Sequence, residues 1–260
     1  MLSMHITLTA IVVFVGMLCC MEIGHRIGQF RIKRHWDEPG ASFLSLEGSV
    51  FGLMGLLIAF TFSAAASRFE TRRQLAVEET NDIGTAWKRL DLLPAYRQAA
   101  LRESFRQYVD SRLAFYRSFT DDNEVSEAMA RSRALQDEIW TKSVAACAES
   151  GSVATTNLVL TSLNTMIDIT TTRLMAARTH LPALIGGLLV GLPLICALLA
   201  GLDSASNPKR SWLRTVGFAL MVSITVFVIY DLDYPRVGVI RLDQFDQSLV
   251  ELRGSMQSGT

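Results

Sequence analysis

The sequence has little of what enzymes are usually built from. Only four histidines and four cysteines are spread over its 260 residues. No Cys or His pair stands at zinc spacing, and Cys19, Cys20 and Cys196 fall inside apolar runs, where packing accounts for them. Glu22 and His25 share one helix face but would need two more ligands to hold a metal, so they read as a polar cap at a helix end. There is no Gly-rich phosphate loop and no Gly-x-Ser-x-Gly elbow. No catalytic residue, metal or cofactor is therefore expected, and an enzyme is the poorest fit. An excess of one charge is missing too. The 25 basic and 25 acidic side chains cancel, which removes the basic face that nucleic acid requires. Alternating strand patterns are also absent, so no sheet is expected. The first apolar run lacks a basic leader and a small-residue cleavage site before Glu22, which favours a retained helix over a signal peptide.

Long apolar runs are what the chain does contain. Met1–Met21 carries no charge, and neither do the 20 residues Gly48–Ser67, the 22 residues Leu181–Leu202 or the 16 residues Thr215–Tyr230. A bilayer core requires about 20 apolar helical residues, so four spans are expected. They organise the chain as a transmembrane hairpin over 1–66 (spans about 5–24 and 43–66), a helical extramembrane domain over 67–180, a second hairpin over 181–231 (spans about 181–203 and 212–231) and a C-terminal tail over 232–260. The predicted fold class is an all-α integral membrane protein. Phe69, Ala76, Ile83, Trp87 and Leu90 begin apolar stripes at helical spacing that recur through the middle segment. Breaks are predicted at Leu93-Pro94, Asp121-Asp122-Asn123 and Ser150-Gly151. The junctions after Arg68 and before Leu181 are open to continuous helix.

Span two carries the candidate site. Gly48, Gly52, Gly55 and Ala59 recur at helical spacing, and small residues let membrane helices approach closely. They imply close helix neighbours, either ordinary packing within the chain or neighbouring copies in a homo-oligomer. Leu46, Val50 and Met54 form an i, i+4, i+8 stripe with Phe51 nearby; an apolar ring of that kind gates by dewetting, and the competing reading is that the stripe only packs against another span. Gly48, Gly52 and Ser63 are placed beside the conduit. No span carries a charge at mid-depth, which argues against a proton pump.

Two stretches resemble the bestrophin channels. Span two ends in Phe60-Thr-Phe-Ser-Ala-Ala-Ala-Ser-Arg68-Phe69-Glu70-Thr-Arg72-Arg73, and span four is followed by Asp231-Leu-Asp233-Tyr-Pro235-Arg236-Val-Gly238. With Glu79-x-Asn81-x-Ile83-Gly84, Arg89-x-Asp91-Leu-Leu-Pro94 and Leu163-Asn164-x-Met166-Ile167-Asp168, the chain resembles a bacterial family of bestrophin-like domains of unknown function and, more distantly, the bestrophin ion channels. Bestrophins usually carry Arg and Asn where this chain has Thr61 and Ser63.

The resemblance implies a bacterial, multi-pass protein of the plasma (inner) membrane, a symmetric assembly of about five subunits, and passive conduction of small inorganic ions, with anions such as chloride favoured. Arg68, Arg72 and Arg73 would attract ions or hold the helical domain to the pore base, pairing with Glu79, Asp91 or Asp168. Asp233, Pro235 and Arg236 would mark the end of span four. Their alternative reading is headgroup contact for the arginines and a simple helix stop for the rest. The resemblance places the helical domain and both termini in the cytosol, whereas the density of Arg26, Arg31, Lys33 and Arg34 places the first connector there. The competing function is a non-conducting membrane scaffold or sensor that binds a partner through the helical domain.

Overall fold

The computed structural model describes residues 2–34, 41–117, 122–205, 212–235, 238–240 and 243–257. These residues form α1 (Leu2–Lys33), α2 (Ala41–Arg89), α3 (Ala95–Arg117), α4 (Asp122–Ser150), α5 (Val153–Arg178), α6 (Ala183–Ser204), α7 (Trp212–Asp233) and α8 (Asp243–Ser255), with one 3-10 turn at Leu90–Leu92. No strand occurs among the described residues. Four stretches are long and apolar enough to cross a membrane: Met4–Lys33, Glu47–Leu92, Val153–Ser204 and Trp212–Asp233.

The helix ends follow from local chemistry. Proline is absent from Ala41–Arg89, so nothing interrupts the ladder of α2 for 49 residues. It stops where Pro94 forces Leu93 into an extended conformation (φ −89°, ψ 162°). Gly151 supplies the positive φ of 64° that the turn after α4 requires. The Ser152 side chain then accepts a hydrogen bond from the Thr155 N–H and caps α5. The junction before the third span is not continuous helix. Thr179 is extended and Pro182 precedes the first residue of α6. Proline has no N–H to extend the ladder of α5, and it biases Leu181 away from helix.

The chain divides into two compact units. The first holds Met1–Phe69 and His180–Ile240. Within it α1 packs chiefly on α6 and then on α7. The α1–α6 crossing is made by backbone. A Cβ on Gly24 would lie 2.1 Å from the Leu198 carbonyl oxygen, and one on Gly201 would lie 2.3 Å from that of Met21. Lipid tails are as apolar as leucine, so helices in a membrane gain little by hiding apolar area and associate through close contact instead. At the same end His25 Nδ1 lies 3.1 Å from Ser204 Oγ, which donates to the Gly201 carbonyl, while Arg26 donates to Glu22. Glu22 and His25 do not cap a helix end as expected, because α1 runs on to Lys33; His25 instead meets the last residue of α6.

The second unit holds Glu70–Thr179 and Arg241–Thr260. Its core is Ile83, Trp87 and Leu90 of α2, Phe105 and Tyr108 of α3, Ile139 of α4, Leu163 and Met166 of α5 and Leu249 of α8. The C-terminal segment therefore belongs to this unit rather than forming a separate tail. Arg253 of α8 makes two hydrogen bonds to Asp110, at 2.8 and 3.0 Å, and Ser248 Oγ lies 3.0 Å from Thr80 Oγ1.

The glycine crossing yields a direct test. Gly201→Ala pushes a methyl group into backbone and is expected to cost about 1–3 kcal/mol. Gly187→Ala, where a Cβ meets nothing within 4 Å, is expected to leave the thermal midpoint unchanged. Unfolding of both variants in one detergent compares them.

Candidate functional site

Two faces of α2 differ in what covers them. Met54 is only 6% exposed and packs with Val50, Phe51 and Ile58 against Val13, Met17 and Met21 of α1, Cys196 and Ala197 of α6, and Ala219 and Val222 of α7. Phe51 tilts against Phe218 with ring centroids 5.8 Å apart. Among the described residues none covers the other face from Gly48 to Ser63. A Cβ on Gly48, Gly52 or Gly55 would meet nothing within 4 Å. Leu56 and Phe60, at i+4 and i+8 from Gly52, are 52% and 66% exposed, and Ser63 lies on the same face. The structure thus separates residues that the sequence grouped. Met54 sits in the packed interior of the subunit with Val50 and Phe51 partly buried against it, whereas Gly48, Gly52 and Ser63 are open. Leu46 belongs to α2, but its side chain lies outside the described residues. Hydropathy gave no signal for Leu56 and Phe60, because every residue around them is apolar.

Past the charge-free run, Arg68 Nε donates to Asp233 Oδ1 at 2.8 Å. Asp233, at the end of α7, is almost wholly buried. Its second oxygen accepts the Leu181 N–H at 2.8 Å. His180 stacks on Tyr234, with centroids 4.4 Å apart, and its Nδ1 lies 3.6 Å from the same carboxylate. Asp231 folds the chain after α7 by accepting the N–H groups of Val239 and Ile240, each at 2.8 Å. A side chain on Gly238 would collide with it, since a Cβ would stand 2.1 Å from Asp231 Oδ1. Asp231, Asp233 and Gly238 of the motif thereby have mechanical reasons; Pro235 is buried, and Arg236 lies outside the described residues. The motif is more than a helix stop, because its two carboxylates bind backbone and arginine.

The second unit contains a buried carboxylate of its own. Glu79 is fully buried and accepts from Arg112 Nε at 2.6 Å, from the Tyr116 hydroxyl at 2.6 Å and from Arg173. Arg173 also reaches Asp246 of α8 at 3.2 Å and lies 4.0 Å above the Tyr116 ring. Burial alone pushes the Glu79 carboxyl up, but the two guanidinium charges outweigh that and hold it at about 2. The pairing expected of the motif arginines is therefore different. Arg68 binds Asp233. Arg72, buried, donates to the Ala176 and Thr179 carbonyls at the end of α5. Arg73 pairs with Glu70 on its own helix. Asp91 pairs with Arg102, and Asp168 is exposed. Glu79 takes Arg112 and Arg173 because these project from α3 and α5 into the core that α2 shares with them. Among the described residues no group of His, Cys, Asp and Glu is arranged to hold a metal ion.

A family model for the Bestrophin-like domain matches residues 30–244. The chain belongs to the bestrophin-like family. Solved structures agree in fold. A bacterial bestrophin homologue from Klebsiella pneumoniae, phased on zinc, is similar at a TM-score of 0.68 with 14% identity, covering 96% of this chain and 98% of that one. Two variants of the Klebsiella homologue, one Trp-to-Ala and one Tyr-to-Ala, give TM-scores of 0.63 and 0.64 at 17% identity. They cover 93% and 94% of this chain and 97% and 98% of theirs. No curated protein matches the chain in sequence. The bestrophin-like match contains both Arg68 and Asp233, so the contact between them is internal to the family's domain.

Glu79→Gln leaves two buried guanidiniums without their anion and is expected to cost about 3–5 kcal/mol. The pH dependence has a definite sign. A carboxyl held at about 2 when folded, against 4.5 when unfolded, contributes stability that is complete above pH 4.5 and fades as pH falls toward 2. The gap in thermal midpoint between wild type and Glu79→Gln should narrow across that window and stay constant above pH 5.5, as differential scanning fluorimetry reads it.

Proposed function

We propose that this chain is one subunit of a homo-oligomeric ion channel in the plasma (inner) membrane of a bacterium, and that the open face of α2 lines the conduit. The supporting observation is the asymmetry of α2. One face packs inside the subunit, while Gly48, Gly52, Leu56, Phe60 and Ser63 are exposed among the described residues. Serines and glycines on a face of a membrane helix suit a neighbouring helix or a wetted path better than acyl chains. About five copies around an axis would bring five such faces together, by resemblance to the bestrophins. The narrow point is then made by Leu56 and Phe60, which exclude water when the neck is dry. Sequence alone points to Leu46, Val50 and Met54 as that ring; in this reading Val50 and Met54, which pack inside the subunit, support the lining helix instead.

Anions are the favoured cargo on the same resemblance. Arg68 and Arg73 act structurally, since each is joined to a carboxylate within the subunit. The second unit, with its charged helices, lies outside the bilayer in this reading. No chemical step is involved, because conduction needs only a wetted path and a gradient.

Flux separates the two faces. Leu56→Ala with Phe60→Ala should raise ion flux in proteoliposomes several-fold with little change in thermal midpoint. Val50→Ala with Met54→Ala should lower stability by about 2–5 kcal/mol for the buried Met54 without raising flux. A reversal potential in asymmetric potassium chloride gives the sign of the carried charge. A sealed vesicle under every condition, with both proteins folded, would favour the scaffold reading instead.

A further inference from the structure

Helix α6 carries a proline inside its ladder, Pro193, midway along Ala183–Ser204. Proline has no N–H, so the Leu189 carbonyl loses the donor that the helix would give it, and the ring pushes that carbonyl off the ladder. Leu189 and Pro193 are both buried. Out of water a freed carbonyl is satisfied by a neighbouring helix, a hydroxyl or an ordered water.

The facing helix offers a hydroxyl at the same level. α6 and α7 run antiparallel, since Asp233 at the end of α7 accepts the N–H of Leu181, just before α6. Three contacts fix their register. The Tyr230 hydroxyl donates to the Gly186 carbonyl at 3.2 Å. Leu189 shares an apolar cluster with Ile229, and Cys196 and Ala197 share another with Ala219 and Val222. Pro193 stands seven residues after Gly186, and Ser223 stands seven before Tyr230. That is about two helical turns in each case, so Ser223 faces the Pro193 turn. Ser223 is 4% exposed, and its Oγ has no hydrogen-bond partner among the described residues. Other hydroxyls on the spans turn back onto their own helix, Thr61 to the Leu57 carbonyl at 2.7 Å and Thr225 to that of Met221 at 2.9 Å. Ser223 does not.

We propose that one ordered water molecule bridges α6 and α7 at mid-helix, donating to the Leu189 carbonyl and bonded to the Ser223 hydroxyl. The surroundings select water. The carbonyl needs a donor, which an anion is not. No charged residue lies in Leu181–Leu202 or Thr215–Tyr230, so nothing there compensates a cation. Val13, Met17, Val222 and Val226 make the rest of the packing apolar, and the Cys196 thiol is directed to the Val50 carbonyl at 3.9 Å. A larger polar molecule would find no further partner, whereas two partners are enough to hold a buried water. The bridge lies wholly within the first unit and is independent of whether the chain conducts.

The test uses the full-length protein in detergent. With the water bonded, Ser223→Ala removes one of its two anchors and should lower the thermal midpoint by about 2–4 °C. A hydroxyl left alone in an apolar core would give the opposite sign, because removing it relieves a desolvation cost. Pro193→Ala returns an N–H to the Leu189 carbonyl, and in that background Ser223→Ala should no longer lower the midpoint. A structure of the unmutated protein, at a resolution that shows ordered solvent, should place a peak about 2.7–3.2 Å from both Ser223 Oγ and the Leu189 oxygen. A raised midpoint for Ser223→Ala overturns the proposal, and so do equal shifts in the two backgrounds. A map without that peak, or with the Ser223 hydroxyl bonded directly to a protein carbonyl, overturns it as well, even where Pro193→Ala does not fold.

Discussion

A carboxylate removed from water costs free energy unless hydrogen bonds or an opposite charge meet its oxygens. Asp233 is met by Arg68 on one oxygen and by the Leu181 N–H on the other. Three segments distant in sequence, the end of the α2 span, the start of the third span and the end of α7, are thereby held at one point of the first unit. Glu79 does the same in the second unit with Arg112, Arg173 and Tyr116. Apolar packing alone tolerates sliding, particularly in lipid, where a displaced leucine finds equally apolar surroundings. A buried ion pair does not tolerate it, because moving one partner strands the other. The two carboxylates are what give these slippery helices a fixed register.

Much of this was legible in the sequence, for identifiable reasons. Four charge-free runs of bilayer length have one economical explanation, and Leu93-Pro94 and Ser150-Gly151 stop helices by steric rules that need no tertiary context. Other features were hidden. The open face of α2 was not readable because apolar periodicity loses its meaning in a membrane: Met54 and Leu56 are equally apolar, yet one is buried and the other exposed. The close crossing at Gly24, Gly28 and Gly201 was hidden because small residues recur most regularly on α2. Gly48, Gly52 and Gly55 of α2 nevertheless meet no described atom within 4 Å, while the glycines of α1 and α6 bring backbone against backbone. The Arg112–Glu79–Arg173 cluster was concealed by distance along the chain, and spacing carries no signal for partners so far apart. Pro182 was a visible breaker whose weight was underestimated beside the long helical pattern around it.

Helix α2 has no breaker over its 49 residues, a length of about 73 Å at the ordinary helical rise. The return path through α5 and α6 is different, being jointed at Thr179–Pro182. An unbroken helix satisfies its interior N–H and C=O groups by itself, whereas a joint releases some of them. Out of water each released group needs another partner, and Asp233 takes one of them, the Leu181 N–H. The joint is thereby bound to the end of α7, a service that the unbroken stretch of α2 does not ask of its neighbours.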